Sequence, residues 1–296
     1  MGKSRLYAGV AGLSLLAALS AGCSSSSSPS SSGSAQGSGP VDVLYAGSLV
    51  DMMQNQVGPA FQKADGYSVN GISGGSKDLA TQIKGKVHPG DVFISASPKV
   101  NKKLEGAANG DWVKWYATFA SSKLVIGYNP KSKFASQLKS KPWYDVVTQP
   151  GFRLGFTDPA TDPKGELAAE ALTDTASKQK LPALKKLAAN TADVFPEETL
   201  VGRLQSGQLD AGFFYTAEAT AGKIATVPVT GEDLKATYTI SVLNQAPHEA
   251  AAEKFVSYLL GSAGQATLKK DGFDLTSPPK VSGSGVPSSL SSVLKK

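Results

Sequence analysis

The chain has 296 residues, of which 41% are hydrophobic and 18% charged, and it carries a formal net charge of +6. That balance reads as globular, and no Lys/Arg run with interleaved aromatics points to nucleic acid. The only histidines are His88 and His248, and there is one cysteine. His-based catalysis and zinc binding are therefore poorly supplied.

The first elements concern location. Lys3 and Arg5 give a basic start, and the apolar run Leu6 to Leu19 is too short to span a bilayer as a stable helix. It ends in Leu19-Ser20-Ala21-Gly22-Cys23, so residues 1–22 read as a secretory leader. This ending resembles the lipobox of bacterial lipoproteins, where the Cys becomes the lipidated first residue of the mature chain. Ser20 departs from it, standing where Leu is commonest. The plainer alternative is an ordinary cleaved leader with an incidental Cys. Residues 23–40 are then the lipidated Cys23 and a linker. Ser24 to Gly39 is almost wholly Ser, Gly, Pro, Ala and Gln, a flexible leash that cannot bury enough surface to fold. The expected place is the outer face of a cell membrane, reached through a lipid anchor. With Cys23 consumed no disulfide remains, but about 255 residues suffice for a core without staples. Loss of Lys3 and Arg5 lowers +6 to +4. That mild charge suits solubility and an acidic cell surface, or adds a little attraction for anionic ligands.

Beyond the leash, strand and helix alternate. Val41 to Ala46 reads as a strand. Ser48 to Lys63 reads as a helix with Leu49, Met52, Met53, Val57 and Phe61 on one face. Tyr67–Ile72 is a strand, Ser76–Lys84 a helix, and Asp91–Ile94 a strand followed by a helix from Pro98. Strands follow at Lys123–Tyr128 and Phe152–Phe156, then a helix from Pro163, then strands at Ala211–Tyr215 and Ala236–Leu243. Helical patterns cover Glu249–Leu260 and Ser262–Lys270, and the Pro/Ser/Gly-rich tail from Ser277 reads as loose until a short helix near Ser289. The order predicts an α/β architecture with mainly parallel sheets.

In such folds ligands collect at the carboxyl ends of strands, facing helix N-termini. Three junctions share a chemistry: Ala46-Gly47-Ser48-Leu49, Ser73-Gly74-Gly75-Ser76-Lys77, and Thr157 through Gly165. Each offers small residues, a hydroxyl or carboxylate, and a helix start whose free N–H groups suit an oxyanion. Singly each has a plain reading. Ser48, Ser76 and Asp162 are ordinary N-cap types, Pro163 follows Asp162 as a first-turn proline should, and Glu197 is an ordinary first-turn acid.

Taken in order, these stretches resemble the substrate-binding proteins of molybdate/tungstate ABC importers, particularly the tungstate-type branch. The resemblance runs from about Val41 to Leu275. It rests also on Asp91-Val92-Phe93-Ile94-Ser95-Ala96, Tyr128-Asn129-Pro130-Lys131-Ser132 and Leu209-Asp210-Ala211-Gly212-Phe213-Phe214-Tyr215. It implies an α/β, type II periplasmic-binding-protein fold: two lobes, a central cleft and two crossover strands. One lobe would hold 41–122 with 226–296, the other 123–225. Ser48 and Ser76 match the two serines that bind oxyanion oxygens. Asp162, Glu197 and Tyr215 match the second-lobe ligand positions, Asp162 and Glu197 as ligands to molybdenum or tungsten. Lys164 departs from the pattern, since many relatives carry Cys after the Asp-Pro pair. It either places positive charge near the cleft or, the reading favoured here, points to solvent.

Two carboxylates in an anion site need a reason. At ~4 Å, like charges repel by ~4 kcal/mol at an effective dielectric of about 20. They would ruin a sulfate site, because sulfur accepts no further ligands. A hexavalent molybdenum or tungsten centre can expand from four oxygen neighbours to six, and hard carboxylates suit it. Asp162 and Glu197 then select as well as bind. The alternatives are a carrier for sulfate or phosphate, built as a hydroxyl and N–H cradle, and a ferric carrier. The latter would usually need adjacent tyrosines, and Tyr215 stands alone in the sequence. Trp112, Trp115 and Trp143 read as core and lobe-surface residues rather than a sugar platform. A ligand-free envelope lipoprotein is the remaining class. No His-Glu-x-x-His or Gly-rich kinase loop suggests an enzyme. The expected partners are a small oxyanion, an ABC permease and the membrane; the expected state is a monomer without a resident cofactor.

Overall fold

The computed structural model describes residues 39–294; the leader, Cys23 and the leash to residue 38 lie outside the described residues. The first part alternates strictly: β1 (Gly39–Ala46), α1 (Val50–Met52), a π-helical turn (Met53–Val57), α2 (Gly58–Asp65), β2 (Tyr67–Gly74), α3 (Ser76–Lys84), β3 (Val92–Ser95) and α4 (Pro98–Lys102). Next comes the long β4 (Trp115–Tyr128), with α5 (Ala135–Ser140), α6 (Trp143–Val147) and β5 (Leu154–Gly155). α7 (Pro163–Lys178), α8 (Pro182–Ala188), α9 (Glu197–Gln205), β6 (Ala211–Tyr215) and α10 (Thr216–Ala221) follow. The chain closes with β7 (Ala225–Pro228), β8 (Lys235–Val242), α11 (Glu249–Leu260), α12 (Ser262–Lys270) and β9 (Asp274–Gly283).

The strand order is β2-β1-β3-β8-β4-β6-β5, with β7 and β9 also on β4. Parallel pairing is confined to the two ends, β2-β1-β3 and β5-β6, where strand–helix–strand crossovers operate. Every partner of β4 and the β3-β8 pair are antiparallel. The sheet is therefore mixed rather than mainly parallel, because its middle is made of strands that carry the chain between two halves. The first residues of β4 pair with β8 and β9, the last with β6 and β7. The chain crosses once along β4 and returns from β7 to β8.

Alternation explains how the strands seat. On β1, Val41, Val43 and Tyr45 join Phe61 and Phe255 in one core, while Leu44 meets Leu79, Ile83, Phe93 and Tyr116 in another. A strand buried on both faces needs apolar residues at both parities, and β1 has them. On β6, Phe213 and Tyr215 face one way, Phe213 edge-on to Trp143 at 5.8 Å, and Phe214 packs the other way with Leu200 and Leu204 of α9.

Two expectations change. The tail is not loose after Ser277, because β9 pairs with β4 from Ser121↔Asp274 to Trp115↔Gly283. Pro278 and Pro279 are accommodated at the register shift between Thr118 and Ala120, on an edge strand where a missing donor is tolerated. The strand around Phe152–Phe156 shrinks to Leu154–Gly155 and a single bridge from Phe156 to Val194. No helix among the described residues is long and apolar enough to cross a membrane.

Candidate functional site

The loops at the ends of β1, β2 and β6 meet the starts of α7 and α9. Ser48 lies in the short turn Gly47–Leu49 and is buried; its Oγ is 2.9 Å from the Tyr238 hydroxyl. Ser76 opens α3, and its Oγ accepts from the N–H of Ala96 at 3.1 Å. Neither serine caps its own helix, so the plain reading of both as N-caps does not hold. Their hydroxyls are held inward against other strands.

Asp162 is the N-cap of α7. Its Oδ1 accepts from the N–H of Lys164 at 2.9 Å, while Oδ2 is buried and makes no hydrogen bond. Half of this carboxylate is a helix cap and half is free for something else. Glu197 is the first residue of α9, but its carboxylate does not serve that helix. Oε2 accepts from the N–H of Gly47 at 3.0 Å, and Oε1 lies 3.2 Å from Lys164 Nζ. The Tyr215 hydroxyl is also buried without a partner, as is Thr157 Oγ1. A buried polar atom left unpaired costs about 1–3 kcal/mol, so several in one place mark a site built for a polar guest.

Lys164 overturns the solvent reading. It has 0% exposure and sits in the middle of the cluster. Its Nζ donates to both oxygens of Glu218 at 2.9 Å and lies 5.7 and 5.8 Å from the ring centres of Phe214 and Tyr215. α7 starts close against residues 157–159, where Gly165 leaves no room for a Cβ, and Glu218 and Glu197 supply the charge that keeps the ammonium inside. Glu218 is fixed in turn by α10, where its Oε2 also accepts from Tyr215 N–H at 3.2 Å.

The charges set one another. Burial raises the Glu197 carboxyl well above its ordinary value, and Asp162 and Glu218 raise it further against the pull of Lys164. Burial also raises Asp162, with Lys164 opposing. For Lys164 burial acts downward, but Glu218, Glu197 and Asp162 outweigh it and keep the ammonium charged. Burial holds the hydroxyls of Tyr215 and Tyr238 well above the usual phenol range. Both phenols are therefore proton-bearing donors. Tyr215 does not stand alone in space: Tyr238 meets it edge-on at 6.2 Å.

The halves touch directly at this point. Thr161 C=O accepts from the N–H groups of Lys77 and Asp78 at 3.0 and 3.2 Å, so two of the free N–H groups expected at the start of α3 are capped from across the cleft. Lys77 Nζ donates to Pro159 C=O at 2.7 Å and pairs with Glu166. A Cβ on Gly75 would lie 2.5 Å from Thr161 C=O, and one on Gly47 would lie 2.6 Å from Glu197 Oε2. At Gly75 the obstacle is backbone, so only glycine permits that approach. A cavity of about 420 Å³ is lined by Gly74, Gly75, Thr157, Asp162 and Glu197. Another of about 270 Å³ is lined by Gly47, Ser48, Glu197 and Glu218. Glu197 forms part of the wall of both.

The fold thus gathers Ser48, Asp162, Glu197 and Tyr215 into one buried cluster, with Ser76 at its edge beside Gly75. Sequence reasoning passed over Tyr238 and Glu218. Tyr238 sits inside the strand Ala236–Leu243 with no motif beside it to single it out. Glu218 had a faint signal, an acid at the third position of a helix that follows Tyr215.

Comparison with known proteins bears on the family and the fold. The profile of a family described as bacterial extracellular solute-binding protein matches residues 41–274. A putative ABC transporter molybdenum-binding protein of Haloferax volcanii is 29% identical over 60% of this chain and 56% of its own length. The molybdate/tungstate-binding protein of Thermococcus kodakarensis is 24% identical over 57% and 62%. Among solved structures, the periplasmic molybdate-binding protein of Azotobacter vinelandii superposes with a TM-score of 0.63 at 24% identity, covering 80% of this chain and 99% of that one. The fold is the two-lobed α/β fold of periplasmic binding proteins, type II, with a central cleft and two crossovers.

Proposed function

We propose, from the premise that this chain belongs to the bacterial extracellular solute-binding proteins, that its cleft captures molybdate or tungstate and hands it to an ABC importer. The observation that carries this is Asp162: a buried carboxylate with one oxygen spent on its helix and the other unpartnered, beside the carboxylate of Glu197. Such a pair repels a plain tetrahedral anion, but it suits a metal centre able to take two more oxygen ligands. Ser48, Ser76 and the proton-bearing Tyr215 would donate to the oxo groups. Asp162 and Glu197 would bind the metal itself and disfavour sulfate and phosphate.

The relatives named for molybdenum, molybdate and tungstate support this choice of cargo. The lobes are taken as 41–122 with 226–296, and 123–225. Cys23 carries the lipid that holds the domain at the outer face of the cell membrane, and the carrier works as a monomer without catalysing a reaction. Closure gives the permease a way to tell a loaded carrier from an empty one.

Calorimetric titration with tungstate, molybdate, sulfate, phosphate and ferric citrate tests the reading. Binding is expected for the first two. Asp162→Ala and Glu197→Ala should each weaken tungstate by tenfold or more, about 1.4 kcal/mol, and leave sulfate no worse. Full-strength tungstate binding by the double variant would remove the carboxylates from the site. A preference for sulfate or ferric ion in the unaltered protein would overturn the assignment.

A further inference from the structure

We propose that Lys164 is a specificity-determining and positioning residue of this cleft: its buried ammonium is the fixed counter-charge that admits a dianion among three carboxylates, and it holds Glu197 toward the ligand. This rests on the oxyanion reading above and adds a residue to it.

The geometry separates the two ends of the lysine's contacts. Glu218 grips Nζ with both oxygens at 2.9 Å, and is itself held by Tyr215 N–H at 3.2 Å. Glu218 therefore acts as the anchor. The third contact of Nζ, at 3.2 Å, goes to Glu197 Oε1, whose other oxygen takes the N–H of Gly47 from the opposite half. The ammonium and that N–H together fix the plane of the Glu197 carboxylate. The rings of Phe214 and Tyr215 lie under 6 Å from the ammonium.

Charge arithmetic makes the lysine necessary. Asp162, Glu197 and Glu218 are all buried and close enough to act on one another, and Lys164 is the cation that acts on them all. A dianion entering this group without Lys164 would meet three carboxylates and no cation in the described cluster. With Lys164 present, Glu218 is neutralised outright and Glu197 is partly compensated. The dianion then meets a more nearly balanced site. A merely structural reading is also coherent, in which the lysine staples α7, α9 and α10 and the ligand is indifferent to it. The two differ in what happens when the whole Lys164–Glu218 pair is removed: one positive and one negative charge go together, so the formal charge of the cluster is unchanged, the fold is spared an uncompensated charge, and any remaining loss of affinity reports the ammonium's place beside Glu197.

The experiment is calorimetric titration of sodium tungstate and sodium sulfate into the unaltered protein, Lys164→Met, and Lys164→Met/Glu218→Gln, with melting curves of each. Lys164→Met should weaken tungstate at least tenfold. The double variant should melt close to the unaltered protein yet remain at least tenfold weaker for tungstate, with a reduced tungstate-to-sulfate ratio. If Lys164→Met fails to fold, the double variant decides alone. Recovery of full tungstate affinity in the double variant would overturn the proposal and leave a structural staple. An unaltered protein that bound no tungstate would instead overturn the oxyanion reading on which it rests.

Discussion

Glu197 Oε2 accepts a hydrogen bond from the backbone N–H of Gly47 at 3.0 Å, across 150 positions of sequence and between opposite halves of the molecule. A carboxylate proposed to bind the ligand is thus also a contact between the halves. On that reading ligand affinity and the open–closed equilibrium are expected to be coupled.

The coupling can be probed where no ligand atom is touched. Gly75 has φ −59° and ψ 128°, a conformation open to alanine, so its strand and helix tolerate the change. Its Cβ would nevertheless sit 2.5 Å from Thr161 C=O in the closed form. Gly75→Ala should therefore weaken tungstate binding about tenfold, equivalent to about 1.4 kcal/mol. Small-angle scattering with saturating tungstate should show a less compact particle than the unaltered protein. Equal compaction and equal affinity would dissociate closure from binding.

The buried carboxylates give the ligand-free protein a definite pH dependence. Burial and mutual repulsion raise Glu197, and burial raises Asp162, above their unfolded values. Between the unfolded and folded values the native state binds more protons than the unfolded one, so stability falls as pH rises through that window. Melting temperature without ligand should therefore climb as pH is lowered from neutral toward the ordinary glutamate value of 4.5. Glu197→Gln should flatten that climb and raise stability at neutral pH. A melting temperature that fell steadily over the same range in the unaltered protein would reverse the assigned sign.

The anchor is tested apart from the cleft. Cys23→Ala should release the protein to the medium or leave it unprocessed. Fractionation that found a processed Cys23→Ala form still in the membrane would show that Cys23 is not the anchor.

Much of the fold was legible because the periodicities are clean. Helix α3 follows from three-and-four spacing and buries the side that spacing selects, while strands β1 and β6 follow from short apolar runs buried on both faces. The tail was misread because proline normally argues against a strand, and nothing local announces that β9 has β4 to pair with. Ser48, Asp162, Glu197 and Tyr215 stood at chain positions that chemistry and resemblance both single out. Lys164 did not, since a lysine in a first turn is ordinarily solvated. Its burial depends on Glu218 and Glu197, which lie 54 and 33 residues further on and become neighbours only in the folded protein. Long-range charge compensation leaves no periodic trace, so such pairs escape a local reading.

A different ion pair shows the opposite pH behaviour and serves as an internal control. Asp210, just before β6, accepts from Arg153 Nε at 3.0 Å, Arg153 Nη2 at 2.9 Å, Arg153 N–H at 2.9 Å and Ser132 Oγ at 2.8 Å. Burial alone would raise its carboxyl, but the hydrogen bonds from Arg153 and Ser132 outweigh that and hold it below its ordinary value of 3.8. A group lowered in the folded state contributes stability that is fully present above the unfolded value and is lost as pH falls through the folded one. Asp210→Asn keeps the shape and loses the charge. It should cost about 1–3 kcal/mol near neutral pH, since it weakens charge-assisted bonds to a largely enclosed carboxylate. For a domain of about 250 residues that is roughly 2–4 °C in melting temperature per kcal/mol. Tungstate affinity should not move, because Asp210 makes no contact with the cleft cluster among the described hydrogen bonds. The gap between Asp210→Asn and the unaltered protein should hold from neutral pH to about pH 5 and shrink only below that, while Glu197→Gln departs from the unaltered protein most at neutral pH. Melting curves of both variants over one pH series would separate the two charges. A gap for Asp210→Asn that grew toward acid would show that its carboxylate is not the stabilising form.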